Sequence, residues 1–521
     1  MDMRVFTSAP DKDITNYAPP ENYELYGKQF TVTYDGGERE TLAFPTDHSP
    51  HCVKIKEAIW LVTALAPASS AVYVLDLEAN LVTRAVPTPG SGFGIAIGAL
   101  DGSSGQHHIL TDELSGNTVE WTLGMLGSSV IRVDYKDGAV ILARPFAPDA
   151  PKLSAEFFSA VKISDTVYLQ TAVVKCDEAV TPVCLLSDFH RVLCAGRLFG
   201  PDNDVRMIGG HGRYPHDAYQ KVPAMDLRAL SPFDNGSIRQ YMQPHCFELA
   251  GKTFEFFMDD GYDYNIHFLS SDILEWNITG EPSAKAKYRC CKADDTTYLV
   301  SYELSDISPR VNHTFVIDLE NMMATRIIAS IGKNPRWPYL TKTEFEFGAI
   351  NDGKEFKPFP RTGFTSELTG NIAQWAYGSE MTTVHVYYCS DSYRITYPRD
   401  RVPPDSVGAN FVFTEILGIL PSSDEATFYM KIKEGMYLIS LTEIHCEKLL
   451  GVKAGFRSNT LCFLQNYKRG IVVGRAFGTT TQSDGTDAQT NITIGAYGRI
   501  VEAVDDDMKS LLIDPNPYMI N

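Results

Sequence analysis

Hydrophobic and polar positions alternate along this chain in short runs of β-branched and aromatic residues, as from Val72 to Leu77, Thr314 to Leu319, Val384 to Tyr388 and Met436 to Leu441. A period of two is the mark of a strand with one buried face. Gly, Asp, Asn and Pro separate the runs, and Asp-Gly pairs at Asp35, Asp101, Asp260 and Asp352 signal tight hairpins. No stretch carries the three-to-four spacing of a long amphipathic helix. The pattern predicts an all-β chain of many short antiparallel strands.

One unit recurs four times within it. Leu-x-Gly opens a strand run at Leu25/Gly27, Leu114/Gly116, Leu249/Gly251 and Leu368/Gly370. Each opener is answered further on by Trp60-Leu61, Tyr168-Leu169, Tyr298-Leu299 or Tyr437-Leu438. The expected modules are 20–105, 106–240, 241–355 and 356–521. At a larger scale the two halves repeat each other. VYVLDLEANLVTRAV (72–86) returns as TFVIDLENMMATRII (314–328), TDELSGNTVEW (111–121) as TSELTGNIAQW (365–375), AGRLFG (195–200) as VGRAFG (473–478), and IGGHGR (208–213) as IGAYGR (494–499). Antiparallel modules near 110 residues suit up-and-down barrels, which remove sheet edges and enclose room for one small ligand. β-Sandwiches are the competing architecture.

Composition narrows the partners. With 46 Lys and Arg against 65 Asp and Glu, the net charge of −19 repels nucleic acid and anionic membranes. The N-terminal stretch lacks a basic segment followed by an apolar one, and no apolar run reaches membrane-spanning length, so the chain reads as soluble and cytoplasmic. Ten cysteines fall in no CxxC array, and no His, Cys or carboxylate spacing suggests a metal site. Dinucleotide and P-loop glycine patterns and a Gly-x-Ser-x-Gly elbow are also missing, so no cofactor is expected.

TSELTGNIAQWAYGSEMTTVHVYYCSDSYRI (365–395) resembles the MoaF family, named after molybdenum-cofactor biosynthesis protein F. The likeness extends over each half, roughly 20–215 and 245–500. It implies tandem lipocalin-like (calycin) barrels, two MoaF-like halves of two modules each. LAGKTFEFFMDDGYDYNIHFLSSDILEWNITG (249–280) and KEGMYLISLTE (433–443) are similar to stretches of the phenolic acid decarboxylases, also lipocalin-like. That resemblance implies cofactor-free chemistry in which Tyr hydroxyls hold a phenolic acrylate while a Glu and an Arg act near the reacting carbon. The family's Tyr pair falls at Val32 and Tyr34, Trp121 and Leu123, Phe256 and Met258, or Trp375 and Tyr377 in the four modules. Its Glu falls at Ala66, Val174, Leu304 or Glu443. The fourth module alone carries both features. Phe256, Met258 and Trp375 depart from the Tyr pair, which puts phenolic-acid decarboxylation itself in doubt.

The resulting expectation is a cofactor-independent enzyme for an apolar or aromatic small molecule, of the kind met in specialised-metabolite biosynthesis. It would use acid/base lyase, isomerase or cyclase chemistry inside a β-barrel. Glu443 on an otherwise apolar strand would be the acid or base, its pKa raised by desolvation; the bland reading is a solvated strand end or an ion pair with Arg394 or Lys448. Tyr377 and His385 would orient or protonate, Trp375 would pack the substrate, and Tyr387 shares a strand face with His385. Arg394, with Arg399 and Arg401 as alternatives, would clamp an anion. Glu303 is a weaker substrate contact, because its offset of one residue turns it to the other strand face. Arg132 is the expected first-half counterpart of His385, allowing one gap. A non-catalytic small-molecule carrier is the rival reading, and an interaction scaffold the third.

Overall fold

The computed structural model describes residues 19, 22–46, 50–56, 58–63, 71–88, 90–102, 107–123, 130–189, 192–200, 205–214, 241–304, 310–331, 341–351, 353, 362–378, 381–387, 389, 392–396, 422–443, 456–481 and 487–503. Among them no helix forms, and the sheets are antiparallel throughout. They group into two compact units, the first two sheets in one and the last two in the other.

The first sheet contains β1 (Gln29–Tyr34), β2 (Arg39–Ala43), β3 (His51–Lys56), β4 (Ile59–Thr63), β5 (Val72–Asp76), β6 (Leu81–Thr88) and β7 (Gly92–Leu100). Its order, β2-β1-β7-β6-β5-β4-β3, leaves it open between β2 and β3. The second contains β8 (Ile109–Leu110), β9 (Thr118–Thr122), β10 (Val130–Lys136), β11 (Ala139–Ala143), β12 (Leu153–Lys162), β13 (Val167–Cys176), β14 (Ala179–Asp188), β15 (Leu193–Phe199) and β16 (Val205–Arg213). Here the order is β11-β10-β9-β16-β15-β14-β13-β12-β8, with no ladder between β11 and β12.

The third is a closed eight-stranded barrel of β17 (Thr253–Met258), β18 (Asp263–Phe268), β19 (Ile273–Ile278), β20 (Ala284–Lys292), β21 (Thr297–Leu304), β22 (Arg310–Asp318), β23 (Met323–Ile331) and β24 (Thr341–Ile350). The fourth contains β25 (Gly363–Phe364), β26 (Ile372–Gly378), β27 (Met381–Val386), β28 (Ser392–Thr396), β29 (Ser422–Lys433), β30 (Met436–Thr442), β31 (Phe456–Asn466), β32 (Ile471–Thr481) and β33 (Asp487–Glu502). Its strand order repeats that of the second sheet, and the additional β29–β30 pairing brings the eight long strands round into a ring.

The repeated residues build the modules. Gly27, Gly116, Gly251 and Gly370 all have positive φ, a conformation that Gly adopts without a steric penalty. Leu25, Leu114, Leu249 and Leu368 are fully buried beside them. The Glu before each Leu pairs with a Lys: Glu24 with Lys54, Glu113 with Lys162, Glu248 with Lys292 and Glu367 with Lys431. In the last three modules that Glu also accepts a hydrogen bond from the answering Tyr168, Tyr298 or Tyr437. In the first, Trp60 donates instead to Asn22, two residues before Glu24. Opener and answer are thus two sides of one plug, Leu inside and Glu–Tyr–Lys around it.

Two glycine motifs serve close approach. A Cβ at Gly212 would stand 2.7 Å from the Trp121 ring, and one at Gly498 would overlap Trp375 in the same way. A Cβ at Gly196 or Gly474 would strike the carbonyl of Cys184 or Cys462 on the neighbouring strand.

Candidate functional site

Alternation on the fourth ring sends Trp375 and Tyr377 of β26, Tyr387 just after β27, Tyr429 of β29, Ile439 and Leu441 of β30 and Phe463 of β31 into one interior. Ala373 pairs with His385 and belongs to that interior, so His385 shares it. His385 is fully buried, its Nε2 lies 3.1 Å from the Thr383 hydroxyl, and its Nδ1 lies 3.4 Å from the Tyr387 hydroxyl. Burial pushes its pKa down to about 3, so the ring is neutral at physiological pH. The Tyr387 and Tyr467 hydroxyls both donate to the Gln465 side-chain oxygen, at 2.9 and 2.6 Å. Burial pushes the Tyr387 phenol up to about 12.

Glu443 follows β30 and stays half-buried at the strand end, its backbone N–H bonded to the Asn459 carbonyl. The protein packed around its carboxyl, and next the charge of Glu425, hold its pKa well above the ordinary range. The register Ala426↔Thr442, carried one step on, sets Glu425 across from Glu443. Glu425 is itself almost fully buried. Burial also raises the Tyr377 phenol, and the nearby titratable groups of Tyr387 and Glu443 push it the same way. Thr383 approaches the Tyr377 hydroxyl without completing a hydrogen bond. Both polar atoms of the buried Asn459 side chain lack partners as well. Tyr437, in the plug, is six residues from Glu443, roughly 20 Å of strand. Glu443 therefore sits toward the end away from the plug, whereas Tyr387, whose carbonyl accepts from the Gly370 N–H of the opener, lies at the plug end.

The structure thus brings Glu443, Tyr377, His385, Trp375 and Tyr387 together. It does not bring Glu303 to them. Tyr298, Val300 and Tyr302 of β21 face the third barrel's interior, so Glu303 lies on its outer wall, where it accepts a 2.9 Å hydrogen bond from Asn491 of β33. Arg394 pairs through its backbone with Val386, and its side chain lies outside the described residues, as do Arg399, Arg401 and Lys448.

Two expectations need correction. His385 has Val133, not Arg132, as its counterpart: Trp121 and Trp375 are equivalent, Val119 pairs with Val133, and Ala373 pairs with His385. A one-residue slip changes the face of the strand. Arg132 accordingly pairs with Glu120 and Asp134 at 3.7 Å. Nor is the fourth interior the only charged one. Inside the third barrel, Arg326 contacts Glu346 at 2.6 Å and His313 at 3.0 Å, donates to the Tyr264 hydroxyl, and stacks over the Tyr264 ring. His313 in turn reaches Tyr302, and Lys342 lies 3.3 Å from Glu344. The charges of that barrel are mutually paired. Arg84, the counterpart of Arg326, lies over the Tyr34 ring and reaches Glu38 at 2.9 Å in the first sheet.

Residues 230–333 match the MoaF N-terminal domain family, a span reaching from β17 to β23 of the third barrel. No curated protein matches the chain. Among the described residues, no three His, Cys, Asp or Glu side chains are grouped to hold a metal ion, and no helix is long and apolar enough to cross a membrane.

Residue reasoning overlooked Glu425, Asn459 and Gln465. Mirror counting about the Glu434-Gly435 turn from the Lys433↔Met436 pair would set Ala426 opposite Glu443. A bulge between Lys431 and Lys433 shifts the register by one and delivers Glu425 instead. Asn459 and Gln465 fall at two-residue steps from Leu461 and Phe463, on the same strand face, a signal that was present in the sequence.

Proposed function

We propose that the fourth barrel is a cofactor-independent acid–base site for a compact apolar or aromatic molecule, built on a lipocalin-like cup and performing lyase, isomerase or cyclase chemistry. One observation carries the reading. Four interior positions that are apolar in the second sheet (Leu123, Val133, Ala155 and Val174) are Tyr377, His385, Glu425 and Glu443 in the fourth. Polar groups placed together in a dry interior are costly to stability unless they serve something.

In this reading the raised pKa of Glu443 favours its protonated form, which delivers the proton to a substrate atom as general acid. Glu425 disfavours a second negative charge beside it, so the pair gives up one proton and takes it back at the end of the cycle. The Tyr377 hydroxyl and the Asn459 amide hold a substrate oxygen, neutral His385 keeps its orientation through Thr383 and Tyr387, and Trp375 supplies an apolar wall. Partners are small molecules of that class, and neither nucleic acid nor a lipid surface has a place in the scheme.

The test is to incubate the full-length protein and its Glu443→Gln variant with fractionated apolar and aromatic metabolites and to follow both conversion and retention by mass spectrometry. The expected result is a compound converted by the wild type, with conversion at least a hundredfold slower in E443Q and retention largely unchanged. Compounds retained without conversion would make the barrel a carrier. Conversion at the wild-type rate by E443Q would remove Glu443 from the mechanism.

A further inference from the structure

The second sheet holds a cavity of about 70 Å³ on its concave side, bounded by Trp121, Leu123, Val133, Ala155, Ala172 and Val174 among others. At roughly 10–15 Å³ for each water, measured as probe-filled space, it has room for about five. Its walls are mostly apolar and give water few groups to bond. The Tyr135 hydroxyl donates to the Gln170 oxygen at 2.7 Å, and the Gln170 amide donates to Ser187 at 2.9 Å, which leaves the Trp121 indole N–H and the Thr171 hydroxyl as the wall groups without a completed hydrogen bond. Apolar cavities of this kind stay dry and accept compact hydrocarbons.

The same space is occupied in the fourth barrel by larger side chains. Ala172, Val174, Ala155 and Leu185 correspond to Leu441, Glu443, Glu425 and Phe463. The walls around it also differ. In the fourth barrel the corresponding strands β28 and β29 are joined by a ladder. In the second sheet β11 and β12 lie side by side without one, and the cavity residues Val140 and Leu142 on one side and Ala155 and Phe158 on the other flank that seam. A bulge interrupts β12 between Glu156 and Ser159, and Phe157 within it has a positive φ of 54°. A bulky residue held in that region is a strained conformation of the kind found at ligand sites. Phe157 and Ile141 are both about half exposed, one on each side of the seam.

We infer that the second sheet is a separate receptor for a compact, uncharged apolar molecule, about the size of a benzene ring, which reaches the cavity through the unpaired β11/β12 seam. This site is independent of the acid–base chemistry proposed for the fourth barrel.

Benzene is the probe. Added to full-length protein, it is expected to raise the thermal midpoint and to perturb the fluorescence of Trp121, a cavity wall. Ala172→Leu installs the side chain that the fourth barrel carries at the equivalent place, and Val174→Leu fills the same space from the next inward position. In each variant, benzene affinity is expected to fall at least tenfold while circular dichroism stays that of wild type. Should one variant fail to fold, the other decides. Absence of benzene binding by the wild type, or unchanged affinity in the folded variants, overturns the proposal.

Discussion

Two titratable residues of the fourth barrel, buried His385 and half-buried Glu443, pull stability in opposite directions with pH. Glu443 has a pKa raised by burial and by Glu425, so the folded state holds its proton more tightly than the unfolded chain, whose value is near 4.5. Its contribution is complete below that value and is lost as pH climbs through the folded pKa. His385 has a folded pKa lowered by burial to about 3 from 6.5, so its contribution is present above 6.5 and is lost as pH falls toward 3. Thermal midpoints measured from pH 3 to 9 test both signs. Relative to wild type, Glu443→Gln is expected to gain stability steadily above pH 4.5, and His385→Gln to gain it below pH 6.5. A pH-independent offset for E443Q would mean that its carboxyl titrates as a solvated group. At this scale the sequence was readable wherever side-chain alternation sufficed, as for Tyr377, His385 and Tyr387. It failed at Arg132 and Glu425, where one gap and one bulge each reversed a face.

At the scale of the element, what recurs in sequence is what closes the strands against each other. The openers and answers are readable as repeats. Their meaning, Tyr437 donating to Glu367 at 2.7 Å, depends on contacts 70 residues apart that no local pattern contains. The glycines of the two IGxxGR copies are as specific: Gly212 and Gly498 exist to admit Trp121 and Trp375. Gly212→Ala would press its methyl to within 2.7 Å of the indole and 2.8 Å of Val192. A loss of about 1–3 kcal/mol is expected from such overpacking. Repeated in a Trp121→Phe background, which removes the crowded ring edge, the same substitution should be clearly milder in urea unfolding followed by circular dichroism. Equal losses in the two backgrounds would move the conflict from the indole to the Glu120 backbone. The charged interior of the third barrel was also within reach, since Thr-Arg at 83–84 returns at 325–326. What the repeat does not reveal is the change of partner, from Tyr34 with Glu38 and Glu40 to Tyr264 with Glu346.

At the scale of the unit formed by the third and fourth barrels, the repeats also carry the joint. Arg475 of the VGRAFG copy reaches Thr314 of the third barrel at 3.0 Å, and its counterpart Arg197 reaches Thr63 of the first sheet. A second tie is chiefly ionic, with a 3.1 Å hydrogen bond from Lys433 to the Thr296 hydroxyl beside it. Lys433, at the β29–β30 turn, lies 2.7 Å from Asp294, 2.8 Å from Glu320 and 3.8 Å from the buried Asp318, all on the third barrel. Burial by itself raises the Asp294 carboxyl, but Lys433, with hydrogen bonds from Thr296 and Thr297, outweighs it and holds the pKa at about 2. Asp294 therefore contributes stability above its unfolded value of 3.8, and loses it as pH falls through 2. Lys433→Met keeps the length of the stem and removes the charge. A fully buried pair broken on one side costs about 3–5 kcal/mol; because Glu320 and part of Asp294 still meet water, about 2 kcal/mol is the expected loss at neutral pH. In acid the carboxyls of both proteins become neutral, so the difference between wild type and K433M should narrow from pH 4 to pH 2, as measured by urea midpoints at each pH. A gap that stays constant across that range would show that Lys433 acts by packing its stem, with its ammonium group immaterial to the joint.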